Sequence, residues 1–390
     1  MALSPEITAA AERLLSESLG ETARIDWEES VIGYPRINRG SAQTFSQSVP
    51  LRIILKFPQK PERWPRLCND WAGSRFLQSV PGTDLIGPRC FGGDSNLHFT
   101  LSQEVKGITF TDMLAVSVEG GDDEASGTAW AGLVEFGRTL GRLHASTYGF
   151  QSDYERIRKA TGPVEEHVNF ELPGRLRATL GAIMALCRDW EVDVDDRLVD
   201  EINVVIQAIE DARFYLTYTH IDLNPNNLLR APQGNVRIID FDSGAYRHAL
   251  LDGVWCRLCF PGHWPACFLP DELLADFETA YRQELSPAFG NAVDDDARFD
   301  RAVTDACAFW ALIRIGWVAE ATFETDPKPE RIAYLRRQAT VVLDRFVRTV
   351  NETEERLELG RMAETMLTFA RNRWGDSPSA LIQPFPVFAG

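Results

Sequence analysis

The apolar positions of this chain change rhythm part-way along. Up to about residue 105 they fall in short runs of strand character; beyond Gly107 they recur at the three-to-four spacing of amphipathic helices. One helix precedes the strands. Ser4 is a good N-cap for it, Pro5 suits its first turn and Gly20 supplies a stop. Residues 24–57 read as strands, most clearly Leu51–Phe57, which is β-branched and aromatic between Pro50 and Pro58. Asn38–Gln43, polar with one glycine, reads as a turn. Leu67, Trp71, Phe76 and Leu77 share one side of a helix over 66–80. Residues 85–91 and 97–105 read as two more strands, joined by a turn at Gly92-Gly93-Asp94.

Past Gly107 the spacing predicts helices over 109–117, 128–147, 172–188 and 196–212, then over 249–259, 270–284, 297–321, 328–350 and 352–374. An acidic, glycine-bearing loop (119–127) separates the first two. A polar loop and a short hairpin occupy 216–242, and the proline-bearing tail after Gly375 reads as extended. The simplest architecture is α+β: a small sheet-rich lobe over 1–105 and a larger helical lobe over 106–390.

Charge and cysteine content narrow the function classes. A net charge of −17 and an isoelectric point near 4.9 argue against a general nucleic-acid binder and against docking on anionic lipid. No run approaches eighteen uninterrupted apolar residues, so no membrane span is expected. The N-terminal residues lack the basic start and apolar run of a signal peptide. Seven cysteines, an odd number at low density, read as reduced thiols in a cytoplasm. Oligomeric state leaves no mark in the sequence.

The chemistry concentrates in 218–242. Leu228–Ala231 and Val236–Ile239 read as short strands about a Pro232-Gln-Gly-Asn235 turn. With the turn centred between 233 and 234, Asn227 and Asp240 are equidistant from it and stand opposite one another on a shared face. Their hard oxygen ligands suit Mg²⁺, which takes few protein ligands and completes its shell with phosphate and water. Asp222, five residues before Asn227, could accept a proton from a hydroxyl held beside that metal. The spacing His-x-Asp-x4-Asn followed by Asp-Phe-Asp matches the phosphoryl-transfer template of kinases.

The segment resembles the aminoglycoside phosphotransferase and choline kinase family, whose usual form is close to HGDLHPGNLL…IDFD. Three further stretches resemble parts of that family: Gly137–Ala145 the helix before the catalytic region, Leu101–Gly107 the hinge between lobes, and Leu55-Lys56-Phe57 the strand with the phosphate-binding lysine. The resemblance implies a protein-kinase-like two-lobed fold that binds ATP and Mg²⁺ between its lobes and phosphorylates the hydroxyl of a small molecule, aminoglycoside-, choline- or sugar-like. It implies Asp222 as catalytic base, Asn227 and Asp240 as metal ligands, and Lys56 on the α- and β-phosphates. His220 would brace the loop. Gly40 and Ser41 belong to a segment that would cover the phosphates, and Gln103 to Val105 would face adenine. Two departures stand out. Asp70 occupies the place of the glutamate that usually pairs with the lysine, with Glu62 as the other candidate, and the phosphate segment has one glycine rather than several. The alternative class is a nucleotide-binding pseudokinase or scaffold without turnover.

Other constellations have simpler readings beside sharper ones. Cys256, Cys259, His263 and Cys267 carry zinc-ligand chemistry at a loose spacing, but also read as buried core thiols. Asp252 reads as a structural cap or an arginine partner, or as a substrate contact. Trp310, Ile313 and Trp317 recur at helical spacing as core. Their sharper reading is an aromatic wall for a cationic substrate, with Asp305 and Glu320 adding charge.

Overall fold

The computed structural model describes residues 3–30, 36–46, 49–117, 123–163, 172–263, 267–324, 328–374 and 383–389. Residues 119–122 of the predicted acidic loop and 375–382 of the predicted tail lie outside these; the rest of that loop, 123–127, is the start of a helix rather than loop. The chain divides into two compact units. The first comprises 1–108, 149–169 and 227–245; the second comprises 109–148, 170–226 and 246–390.

The first unit is built on a five-stranded antiparallel sheet in the order β1-β2-β3-β5-β4. Its strands are β1 (Ala23–Ser30), β2 (Ile37–Thr44), β3 (Leu51–Lys56), β4 (Cys90–Asp94) and β5 (Phe99–Gln103). Helix α1 (Pro5–Leu19) starts where the sequence predicts, with Ser4 Oγ accepting from Ile7 N, and stops at Gly20 with φ 71°. It lays Ala10, Ala11 and Leu15 on a core of Ile25, Ala42, Ile53, Leu55, Phe91, Phe99 and Leu101. Helix α2 (Trp64–Ser79) follows β3.

Three readings of this unit change. Asn38–Gln43 is strand, not turn. Asn38, Gly40 and Ala42 alternate inward with exposed Arg39 and Gln43, so polar residues here follow the period of two of a half-buried strand. Gly92-Gly93-Asp94 lies in β4, and the chain turns over the four residues after it. Gln151–Thr161 is a helix that its polarity concealed.

The second unit is helical. Its helices Asp123–Thr147 and Asp271–Phe289 pack backbone to backbone. A Cβ on Gly137 would come within 2.5 Å of Phe277 O, and one on Gly141 within 2.7 Å of Tyr281 O. That approach sets His144 beside Tyr281. Helix Asp296–Thr322 is long and apolar enough to cross a membrane by length and composition, yet 83% of its most apolar window is buried within the fold. It packs against helices Leu172–Asp189 and Pro329–Thr353 as a core helix.

Candidate active site

Within the first unit, Lys56 ends β3 and points its ammonium at two carboxylates. Nζ lies 3.0 Å from Asp70 Oδ2 and 2.9 Å from Asp240 Oδ1. Burial works to lower the lysine pKa, but the charges of Asp240 and Asp70 outweigh it and hold the group well above its ordinary value. Lys56 therefore remains a fixed cation. Asp70 is the partner that the sequence left open against Glu62, which lies exposed in the short turn Pro61–Arg63. The missing methylene costs no reach: Asp70 touches Lys56 with Oδ2 and accepts the Phe241 backbone N–H with Oδ1 at 2.8 Å.

Asp240 sits at φ 69°, in the left-handed region that non-glycine residues seldom adopt. The hairpin before it corrects the expected register. Leu228 pairs with Ile238 and Arg230 with Val236, so the turn is centred on Gln233 rather than between 233 and 234. Gly234, at φ 92°, donates its N–H to Ala231 O and tightens that longer loop. Asn227 O consequently accepts from Ile239 N at 3.0 Å, and Asp240 lies one residue beyond the residue that faces Asn227. Strand alternation alone therefore does not bring the two side chains to one face; the Asp240 carboxylate is turned to Lys56.

A buried polar network that carries no sequence motif stiffens the segment after Asp240. Asn69 Nδ2 donates to the carbonyls of Asp242 (2.9 Å) and Gly244 (2.8 Å). Asn69 Oδ1 accepts from Tyr154 Oη at 2.9 Å and from Arg158 Nε at 3.1 Å. Arg66 grips both oxygens of Asp242 at 2.6 and 3.1 Å. Burial, then the charge of Asp240, pushes the Asp242 carboxyl up to about 6, and Arg66 pulls against both. The signal for this network was spread over three distant segments, which is why no local pattern showed it.

The predicted phosphate-covering residues are placed differently. Gly40 lies in β2 opposite Trp27, and a Cβ there would meet the indole at 2.8 Å. Ser41 pairs with Asp26 and Arg52 in the ladder. Neither residue lies in a loop, so no anion nest forms at this point. Gln103 closes β5 with its N–H on Arg89 O, and Glu104 N donates to Arg52 O. Val105 follows beyond the end of the ladder.

In the second unit, Asp222 follows β-strand Leu216–Thr219. Buried His220 accepts the Asp222 N–H on Nδ1 at 3.1 Å, and Asn224 Nδ2 donates to Asp222 Oδ1. Asp252, fully buried, accepts from His220 N at 2.6 Å and from Ile221 N at 2.8 Å. His144 Nε2 lies 3.3 Å from the same carboxylate and its Nδ1 2.9 Å from Tyr281 Oη. This chain of contacts ties the Asp222 loop to the paired helices. Asp252 thus braces the Asp222 loop through its backbone, a role not foreseen among the readings of a helix cap or an arginine partner.

The remaining candidates resolve otherwise. Among the described residues no three His, Cys, Asp or Glu side chains group around a metal position, the Cys256–Cys267 set included. All seven cysteines are free thiols. The tryptophan wall is already filled: Arg314 lies 4.2 Å over the Trp317 ring and 5.9 Å from that of Trp310. Asp305 is paired with Arg356 at 2.6 Å, and Glu320 faces Arg175 at 3.5 Å. Among the described residues, Trp310 and Trp317 present no open wall for a cationic substrate.

Within the first unit a lysine is held by an α2 carboxylate and by the first Asp of Asp-Phe-Asp; within the second, a buried carboxylate braces the His-x-Asp loop. The model of the phosphotransferase enzyme family (APH) matches residues 83–290, more than half of the chain. The chain belongs to that family and is a phosphotransferase with an alcohol group of a small molecule as acceptor. No curated protein matches it at a significant level. Among solved structures it is similar to a Ralstonia eutropha JMP134 protein provisionally named an aminoglycoside phosphotransferase, at 14% identity and TM-score 0.51, over 95% of this chain and 99% of that one. It is also similar to macrolide 2'-phosphotransferase MphH of Brachybacterium faecium (16%, TM-score 0.43, 83% and 98%). A third is choline kinase LicA of Streptococcus pneumoniae (14%, TM-score 0.40, 90% and 99%). The fold is the two-part, sheet-then-helix fold of that family.

Proposed function

We propose that the chain is an ATP- and Mg²⁺-dependent O-phosphotransferase. Residues 1–105 form its nucleotide-binding lobe and 106–390 carry the catalytic loop and acceptor site. The observation that carries this reading is Lys56 held at 3.0 and 2.9 Å by Asp70 and Asp240. A lysine fixed as a cation at a strand end has an obvious use on phosphate oxygens. The donor set also fits the metal: Asn227 and Asp240 close the two ends of one hairpin and offer hard oxygens. Mg²⁺ bound there would supply charge neutralisation to the phosphates. Lys56 would steady the phosphate tail, and Asp222 would orient the acceptor hydroxyl and take its proton as oxygen closes on phosphorus and the bond to the leaving diphosphate breaks. Seven free thiols, six of them buried, fit a cytoplasmic setting.

Calorimetric titration of ATP with and without Mg²⁺, against wild type and Asp240→Asn, tests the nucleotide half. Metal-dependent binding that the variant loses supports it; binding indifferent to both metal and Asp240 overturns it. Asp222→Ala tests the other half: turnover is expected to vanish while nucleotide binding survives.

A further inference from the structure

Arg314 is an unusual residue to find in the core helix Asp296–Thr322. It is 5% exposed, and among the described residues no carboxylate lies within ion-pairing distance of it. Nη1 donates to Gln338 Oε1 at 3.0 Å, and Gln338 Nε2 in turn donates to Tyr334 Oη at 2.6 Å. The Arg314 Nε–H is buried without an acceptor, and so is the Nε1–H of Trp317, one turn along the same helix face. With the guanidinium stacked 4.2 Å over the Trp317 ring, both unsatisfied donors belong to one small patch. Buried donors and buried charge are costly to leave unmatched, so a patch carrying both is poor core filler and a good receiver for an anion.

The patch belongs to the surroundings of Asp222. Trp310 Nε1, four residues before Arg314, donates to Leu251 O at 2.9 Å. Leu251 adjoins Asp252, which holds the N–H groups of His220 and Ile221 next to Asp222. Arg314 also feels Asp222 electrostatically. Burial draws the guanidinium down to about 10, while Tyr334 and Asp222 oppose that shift. A second arginine, Arg175, lies 5.4 Å over the Trp317 ring. A cationic acceptor placed here would meet arginine rather than an open aromatic face.

We infer that Arg314 and Trp317 Nε1–H seat a carboxylate of the acceptor, so that the substrate is a small hydroxy acid whose hydroxyl is presented to Asp222. The two free N–H donors match the two oxygens of a carboxylate, and one guanidinium charge balances one carboxylate charge. This assignment rests on the phosphotransferase reading of Asp222. It gives Arg314 a specificity role: in the transfer, the acceptor oxygen gains the phosphoryl group and loses its proton, and the carboxylate stays unreacted on the arginine.

The test uses the full-length chain and a panel of glycerate, serine, homoserine and 3-hydroxybutyrate, each beside its carboxamide. Binding is read by tryptophan fluorescence and turnover by ATP consumption. At least one acid is expected to bind and turn over with a preference of roughly 10- to 100-fold over its amide. Arg314→Met should abolish that preference, Arg314→Lys should retain part of it, and Trp317→Phe, which keeps the ring and removes the donor, should weaken acid binding several-fold. Thermal melts verify that each variant folds; should Arg314→Met fail, the Trp317→Phe result decides. Equal affinity for acids and amides, no binding of any acid, or a preference that survives both substitutions overturns the assignment. Turnover of choline or an aminoglycoside without acid binding does the same, and leaves phosphotransfer standing. Acid binding that depends on Arg314, without ATP turnover on any acceptor, keeps the carboxylate seat and overturns the phosphotransfer reading.

Discussion

Ile221 donates its backbone N–H to Asp252 Oδ1 at 2.8 Å while holding φ at 66°. A β-branched residue in that region costs about 1–3 kcal/mol and persists only where its surroundings impose it. Here the imposing group is a buried carboxylate, and the residue held out of its preferred conformation is the one immediately before Asp222.

Asp252→Ala should therefore let the loop relax. It orphans two buried N–H groups, at a cost of about 2–4 kcal/mol in unfolding free energy, and lowers kcat more than it changes nucleotide affinity. Adding Ile221→Gly to that background should return part of the activity, because glycine enters the left-handed region freely. Chemical denaturation and steady-state kinetics on the single and double variants check both statements. Equal activity in the two would mean that the backbone strain is unrelated to turnover.

Asp70 has two jobs that substitutions can separate. Asp70→Asn keeps an oxygen for the Phe241 N–H but removes the charge from Lys56; Asp70→Ala removes both. The expectation is about a tenfold or greater loss of kcat in each, with a further drop of about 1–2 kcal/mol in stability only for alanine. Kinetics and thermal melts on the same preparations measure the split.

Gly40 packs face to face with Trp27. Gly40→Ala should destabilise the sheet by about 1–3 kcal/mol through overpacking against the indole. Trp27→Leu in the same chain should recover much of that loss. Nucleotide affinity, compared at a temperature where all variants are folded, should stay near wild type.

His248 predicts an acid-sensitive fold. Burial, with a contribution from His144, lowers its pKa to about 3; it packs tilted against Tyr215 at 4.6 Å between ring centroids, and its Nδ1 accepts from Leu250 N at 3.3 Å. The unfolded chain takes up the proton near its ordinary value of about 6.5, so the unfolded state binds more protons below that pH. The contribution to stability is complete above about pH 6.5 and is lost progressively, by up to about 1.4 kcal/mol per pH unit, as pH falls towards 3. Denaturant titrations between pH 7 and 4 should show a shallower acid slope for His248→Asn than for wild type.

What could be read in the sequence was whatever depends on local order. The Ser4 cap, the Gly20 stop, the strand ending in Lys56 and the His220–Asp242 chemistry all declare themselves within a few residues. The hairpin register did not, because one additional loop residue about Gly234 shifts every pairing and no composition distinguishes the two turns. Asn38–Gln43 misled because polar side chains on the outer face of a strand look like a turn when their inward partners include Asn38 and Gly40. The Asn69–Tyr154–Arg158 network and the Arg314 patch are assembled from distant segments, and long-range polar contacts leave no period to detect.

Gly137 and Gly141 have a consequence for how this chain can vary. Because the two helices meet largely through main chain at these glycines, the spacing between them depends on Gly137 and Gly141 and little on the side chains around them. The ruler that locates His144, Tyr281, Asp252 and so the Asp222 loop is indifferent to side-chain drift in the surrounding helices. An ancestor could exchange the residues around Arg314 for those suiting another acceptor while the phosphoryl-transfer geometry stayed in place, which separates the evolution of what is phosphorylated from the evolution of how.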